Sequence, residues 1–338
     1  MHRNDQAGVA PVLVRPTGRP ALPRLPSVRA MVRTAAVIAA IAMGIGVFLT
    51  WRLGSGAWSG ALLAALPALV ALGTGSQGFR FLRWHVLVTR RAPALRAADS
   101  MRIYITGFAL ELTPGRLGAF LKFSLLRQVT GVPEADTVAV LPVEAAAEVV
   151  SFLLVATAGA VAGGYRLPQV GAGVLVGALL LLGLLLLSSS RRWTGRRGNP
   201  RLVDRLPLLD SLYRGLLAVG SPGPVLLALG CALAARACEV VLFGVVAHVV
   251  VLPLSPAGAT LAWGMSGLVG GVSLLPGGFG AAEGAVVATV ASIGGKASLA
   301  LVAALVSRMM TVWIWIPVGL ACAVASTRGP GGLSLIHI

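Results

Sequence analysis

The chain alternates long apolar runs with short polar stretches rich in arginine. Crossing a bilayer as a helix takes roughly 20 apolar residues, and six runs come near that length: 34–51, 57–77, 137–161, 168–188, 222–251 and 297–325. Two further apolar stretches break the pattern. Residues 103–112 are too short to cross and run into Thr113-Pro114-Gly115-Arg116-Leu117-Gly118-Ala119, and residues 256–295 are interrupted by Leu275-Pro276-Gly277-Gly278-Phe279-Gly280. Proline and clustered glycine end a helix, and broken backbone at membrane depth must be buried in protein or line a wet cavity. Each stretch therefore predicts a re-entrant helical hairpin, broken at Pro114, Gly115 and Gly118 in the first, which returns through 117–129, and at Pro276 in the second. Both turns carry the frame Pro-Gly-x-x-Gly-Ala. Paired helix interruptions at corresponding positions of two halves point to a transporter's binding site.

The polar positions orient this pattern. Residues 1–33 mix six arginines with five prolines, a composition too polar to pack, and predict a disordered basic cytoplasmic tail. Residues 79–102 hold Arg80, Arg83, Trp84, Arg90, Arg91 and Arg96 and read as an interfacial segment facing the cytoplasm; residues 191–214 form a second arginine-rich loop. With the N-terminus inside, most of the 28 lysines and arginines fall on the cytoplasmic side. The first hairpin then enters from the cytoplasm and the second from outside, so the halves, roughly 57–161 and 222–325, are inverted copies. The expected fold is an all-α polytopic membrane protein of about six transmembrane helices plus two re-entrant helical hairpins in inverted repeats. One membrane domain covers 34–326; residues 327–338 form a tail whose end, Leu333 to Ile338, reads as a translated sequencing adaptor.

Composition agrees. At 57% hydrophobic and 12% charged residues, with mean hydropathy +0.87, the chain is not an ordinary soluble globule. The net charge of +17 would indicate nucleic acid in a soluble protein. Here the arginines lie between apolar segments, where topology and anionic lipid account for them and no nucleic-acid partner is expected. Cys231, Cys238 and Cys322 lack CxxC spacing and partner histidines, and His85 and His248 stand singly, so neither a metal site nor a cofactor is expected.

Charges inside apolar runs are the candidate chemistry. Glu144 and Glu148 are four apart, hence on one helix face, and carboxylates facing lipid would cost several kcal/mol. They serve either a coupling or headgroup site or a structural ion pair with Arg236 or Arg308. Arg236 and Glu239, three apart, are close enough to pair. Arg308 has no acidic neighbour in its own run, and Glu283 is its natural partner. Glu283 follows the glycine turn, where the helix dipole favours a carboxylate; the amides of Gly277, Gly278 and Gly280 beside it form an anion-binding nest suited to a phosphate-bearing or zwitterionic headgroup. Arg116 and Lys122 are cytoplasmic counterparts fit for a lipid phosphate, or else interfacial anchors. The glycine turns lack the strand and the Lys-Ser/Thr ending of a nucleotide loop, and no catalytic motif is present.

In Thr113 to Lys122 with Leu125, Leu126, Arg127, Thr130 and Gly131, in Glu144 with Glu148, and in Leu275 to Gly284 with Arg308, the chain resembles the transmembrane domain family of lysylphosphatidylglycerol synthases, also described as flippase-like domains. The resemblance covers roughly 57–325. It departs at Ala119, Ala145 and Ala282, where the family's blocks carry Glu, Arg and Arg. The family's cytosolic aminoacyltransferase domain has no counterpart in these residues, so the resemblance implies translocation and not synthesis. It implies a multi-pass protein of a bacterial cytoplasmic membrane that moves a phospholipid, aminoacyl-lipid or glycolipid headgroup, with membrane lipids of anionic or zwitterionic headgroup as partners. Alternatives are a membrane-embedded lipid-modifying transferase with Glu144 or Glu148 as base, and a non-catalytic membrane partner of a glycosyltransferase or other lipid-synthesising enzyme.

Overall fold

The computed structural model describes residues 60–108, 117–165, 221–273 and 275–328, together with the isolated positions 37, 40, 44, 48, 52 and 219. The predicted tail at 1–33, most of the run 34–51, the break at Pro114, Gly115 and Arg116, the run 168–188 and the loop 191–214 lie outside them.

Every regular element among the described residues is helical. In the first half, α1 (Gly60–Val88) is followed by the short helices α2 (Ala97–Gly107) and α3 (Leu117–Thr130), by the single turn α4 (Glu134–Val138), and by the long α5 (Leu141–Ala162). In the second half, α6 (Pro222–Val249) is followed by α7 (Pro256–Val272), a 3-10 turn at Pro276–Gly278 and α8 (Ala281–Ser292). Then come α9 (Ala297–Arg308), a π-turn at Met309–Trp313 and α10 (Trp315–Arg328). The order in both halves is a long helix, two packed short helices and a long apolar stretch. Among the described residues, four segments are long and apolar enough to cross a membrane: Gly60–Val88, Asp136–Ala162, Pro222–Val249 and Ala297–Ala325.

The packing repeats as well. The first helices of the two halves, α1 and α6, run antiparallel along most of their length: Arg90 at the end of α1 bonds the Val219 carbonyl and Ser221 at the start of α6, while Leu69 shares a core with Phe243 and Val246. The last helix of each half packs on the first hairpin helix of the other, α5 on α7 and α10 on α2. Small residues permit the closeness of α5 and α7. A Cβ at Gly264 would stand 2.5 Å from the Ala156 nitrogen, and one at Gly159 only 2.3 Å from that of Leu261. Membrane helices that lack a hydrophobic drive to associate use such contacts.

Two expectations change here. Helix α1 does not end near Gln77: it continues to Val88, so Arg80 and Arg83 are helical, and Arg83 is buried, not spread on an interface. At 29 residues the helix is roughly 43 Å long, well beyond a hydrocarbon core of about 30 Å. Guanidiniums tolerate that position because facing helices supply carboxylates. Gly118, expected within the first break, instead lies in the first turn of α3.

Candidate functional site

Ser76, Arg80 and Arg83 stand at i, i+4 and i+7 on α1, Glu144 and Glu148 at i and i+4 on α5, and Arg236 and Glu239 at i and i+3 on α6, so each helix turns its charges to one side. Those sides meet between two apolar clusters, one around Trp84, Phe123 and Val150 and the other around Leu69, Phe243 and Val290. Glu148 is the hub: its Oε1 lies 3.3 Å from Arg80 and 3.2 Å from Arg236, and its Oε2 accepts from Arg83. Glu239 accepts from Ser76 at 2.6 Å and Arg80 at 2.9 Å on one oxygen, and from Arg236 at 2.8 Å and Trp263 at 3.0 Å on the other. Arg236, fully buried, also sits over the Phe152 ring at 4.2 Å. Glu144 makes one longer contact, 3.4 Å from Arg83.

Three guanidiniums and three carboxylates thus neutralise one another in a largely buried setting, where a lone charge would be expensive. Beside them opens a cavity of about 160 Å³, lined by Arg80, Arg83, Tyr104, Lys122, Glu144 and Glu148 among others. Lys122 comes from α3, and its ammonium rests over Trp84 at 4.5 Å and over Tyr104 at 5.5 Å.

The second glycine turn forms a separate site. Gly277, Gly278 and Gly280 have φ of 58°, 68° and 82°, a left-handed run that side chains would strain. Arg308 donates to the Gly277 carbonyl and lies 2.7 Å from Glu283, whose second oxygen accepts from the Gly280 amide at 2.7 Å. The Gly278 amide donates to the Leu275 carbonyl at 2.8 Å. Two of the three amides expected to face an anion are therefore engaged within the chain, and the turn is closed on itself.

A family model described as the lysylphosphatidylglycerol synthase TM region matches residues 32–319, a stretch that contains both the charge network and the glycine turn. The chain belongs to this family. No curated protein and no solved structure matches it.

In this family member the two sites are joined. Tyr104, on the cavity wall, donates to Gln77 at 3.1 Å, and Gln77 donates at 2.5 Å to the Thr311 carbonyl in the π-turn that directly follows Arg308. A π-turn displaces the regular i to i−4 pattern, and such turns recur at functional sites. Phe279 of the glycine turn packs at a tilt against Trp313 of the same π-turn, ring centroids 5.6 Å apart.

Of the residues singled out in the sequence, Glu144, Glu148 and Lys122 meet at the cavity, while Gly277, Gly278, Gly280, Glu283 and Arg308 meet at the turn; Arg116 lies outside the described residues. Glu148 pairs with Arg236, not with Arg308, and Arg308 pairs with Glu283. Arg80 and Arg83, expected at an interface, and Ser76, Gln77 and Tyr104, for which the sequence offers no expectation, join the site. The available signal was phase: Arg80 and Arg83 continue the helical face of Leu69 and Ser76, whereas Arg90, Arg91 and Arg96 follow the end of α1.

Proposed function

We propose that the chain is an integral membrane lipid translocase, multi-pass in the cell membrane with its N-terminus cytoplasmic, that carries a lipid headgroup between leaflets while the acyl chains stay in lipid. The observation that carries this reading is the neutral cluster of buried guanidiniums and carboxylates against a cavity inside helices apolar enough to span. Intramembrane ionisable groups are costly and mark substrate or ion pathways. A compensated set of this kind can exchange partners as a headgroup passes, without leaving a charge uncovered in either state.

The repeated element order and the reciprocal packing of α5 on α7 and α10 on α2 support two halves of inverted topology. The antiparallel run of α1 along α6 supports it too, since these are corresponding helices. In that architecture the cavity and the closed glycine turn are the two gates, and alternating access is a rocking of one half against the other. A transferase using Glu148 as base is less well supported, because guanidiniums hold both of its oxygens.

The test is reconstitution of the purified chain into vesicles that carry acyl-labelled fluorescent lipids, with the outer leaflet bleached by dithionite. Loss of the protected inner-leaflet signal, above that of protein-free vesicles, is expected. A rate at background for every headgroup would overturn the reading.

A further inference from the structure

The charges around the cavity are not all spent on one another, and the remainder has a definite shape. Of the six carboxylate oxygens, both of Glu239 accept from guanidinium, hydroxyl or indole donors, Oε2 of Glu148 accepts from Arg83, and its Oε1 lies within ion-pair distance of Arg80 and Arg236. Glu144 uses only Oε1, at 3.4 Å from Arg83, and its Oε2 has no partner among the described residues. Among the cations, Arg80, Arg83 and Arg236 each have carboxylates within ion-pair distance. Lys122 has none among the described residues and rests on aromatic faces, a contact worth about 0.5–2 kcal/mol and therefore easily complemented by a real anion. Lys122 and Glu144 line the same cavity, yet they do not pair with each other.

We infer that this cavity selects a zwitterionic phosphodiester headgroup with one hydrogen-bearing ammonium, the phosphate held by Lys122 and the ammonium by Oε2 of Glu144. This rests on the translocase reading for its route but not for its chemistry. One unmatched cation and one unmatched acceptor on the wall of one small cavity complement one anion and one donor cation. A headgroup with no ammonium leaves an oxygen of the largely buried Glu144 unsatisfied, and unmade bonds cost most where a polar group is buried. A trimethylated ammonium cannot donate to it. Size is compatible: at about 160 Å³ the cavity is smaller than the usual 300–1,000 Å³ of pockets for drug-sized ligands, as suits a compact headgroup.

The experiment uses the full chain in vesicles with acyl-labelled phosphatidylethanolamine, phosphatidylcholine or phosphatidylglycerol. In parallel, the detergent-solubilised chain is titrated with the soluble diesters glycerophosphoethanolamine and glycerophosphoglycerol, read by tryptophan fluorescence because Lys122 lies on Trp84. Expected is a preference for the ethanolamine headgroup of roughly tenfold, the factor for one charge-assisted hydrogen bond. Glu144→Gln should abolish that preference and Glu144→Asp should keep part of it. Lys122→Gln should weaken all phosphodiesters alike, with Lys122→Arg restoring them, each variant being compared only if it elutes as the parent does and keeps its helix content. Equal handling of ethanolamine and glycerol headgroups, or an unchanged preference in Glu144→Gln, overturns the inference. Selective binding without any lipid movement supports it while overturning translocation. Binding of the soluble diester with no ethanolamine-lipid selectivity overturns the lipid as the source of the headgroup.

Discussion

Four donors converge on the two oxygens of Glu239, and the carboxylate is almost completely buried, so its charge is fixed in place by the fold. Replacing it with Gln keeps the volume but leaves Arg236 beside one carboxylate where it had two. Breaking one partner of a buried pair costs about 3–5 kcal/mol, so Glu239→Gln should lower the unfolding temperature in detergent clearly, and Arg236→Gln should do the same. The double variant restores neutrality, and its loss should be well below the sum of the two; additive losses would show that the groups are not coupled. At the glycine turn the decisive contact is the Gly280 amide on Glu283. Glu283→Ala should speed exchange of that amide roughly tenfold, the worth of one hydrogen bond to a charged acceptor. Glu283→Gln, which keeps an acceptor oxygen, should preserve most of the protection, as hydrogen exchange read by mass spectrometry will show.

The elements owe their closeness to small residues and their breaks to glycine. Gly264 sits where α7 crosses α5 with no room for a Cβ, so Gly264→Val should force the helices apart and destabilise by about 1–3 kcal/mol or more, as overpacked sites do. Gly271→Ala on the same helix meets nothing within 4 Å and should be neutral or slightly stabilising. Thermal unfolding of the two variants side by side checks the pair. The spans were legible from sequence because apolar length alone decides them: the runs at 137–161, 222–251 and 297–325 reappear within a few residues at each end. The pairings of Arg236 with Glu239 and of Arg308 with Glu283 were legible for a similar reason, since a buried charge must find the nearest opposite charge. Arg80 and Arg83 were hidden by their neighbours, because arginine density after Phe79 looks like an interface unless helical phase is followed past Gln77. Gln77 itself had no signal. Its partner is a backbone carbonyl within a π-turn, and nothing in Met309 to Trp313 marks that turn in advance.

At the scale of the whole molecule, the translocase reading takes the chain as two copies of one plan, and equivalent ends put that to the test. Gly131 closes α3 and Gly294 follows α8, each with a left-handed φ, 73° and 86°, at the point where short helices give way to the next long segment. If the halves are inverted, these equivalent points lie on opposite faces of the membrane. Exposed neighbours provide handles: Arg127 on α3 and Lys296 just before α9. In a background where Cys231, Cys238 and Cys322 are replaced by Ser, Arg127→Cys should react with an impermeant maleimide only after the membrane is opened, and Lys296→Cys should react on intact cells. The antiparallel contact of α1 with α6 makes the same demand, since two corresponding helices that run in opposite directions cannot place their equivalent ends on one side. Labelling of both cysteines from the same face would therefore remove the inverted repeat, and with it the reason to treat the charged cavity and the glycine turn as two gates of one pathway.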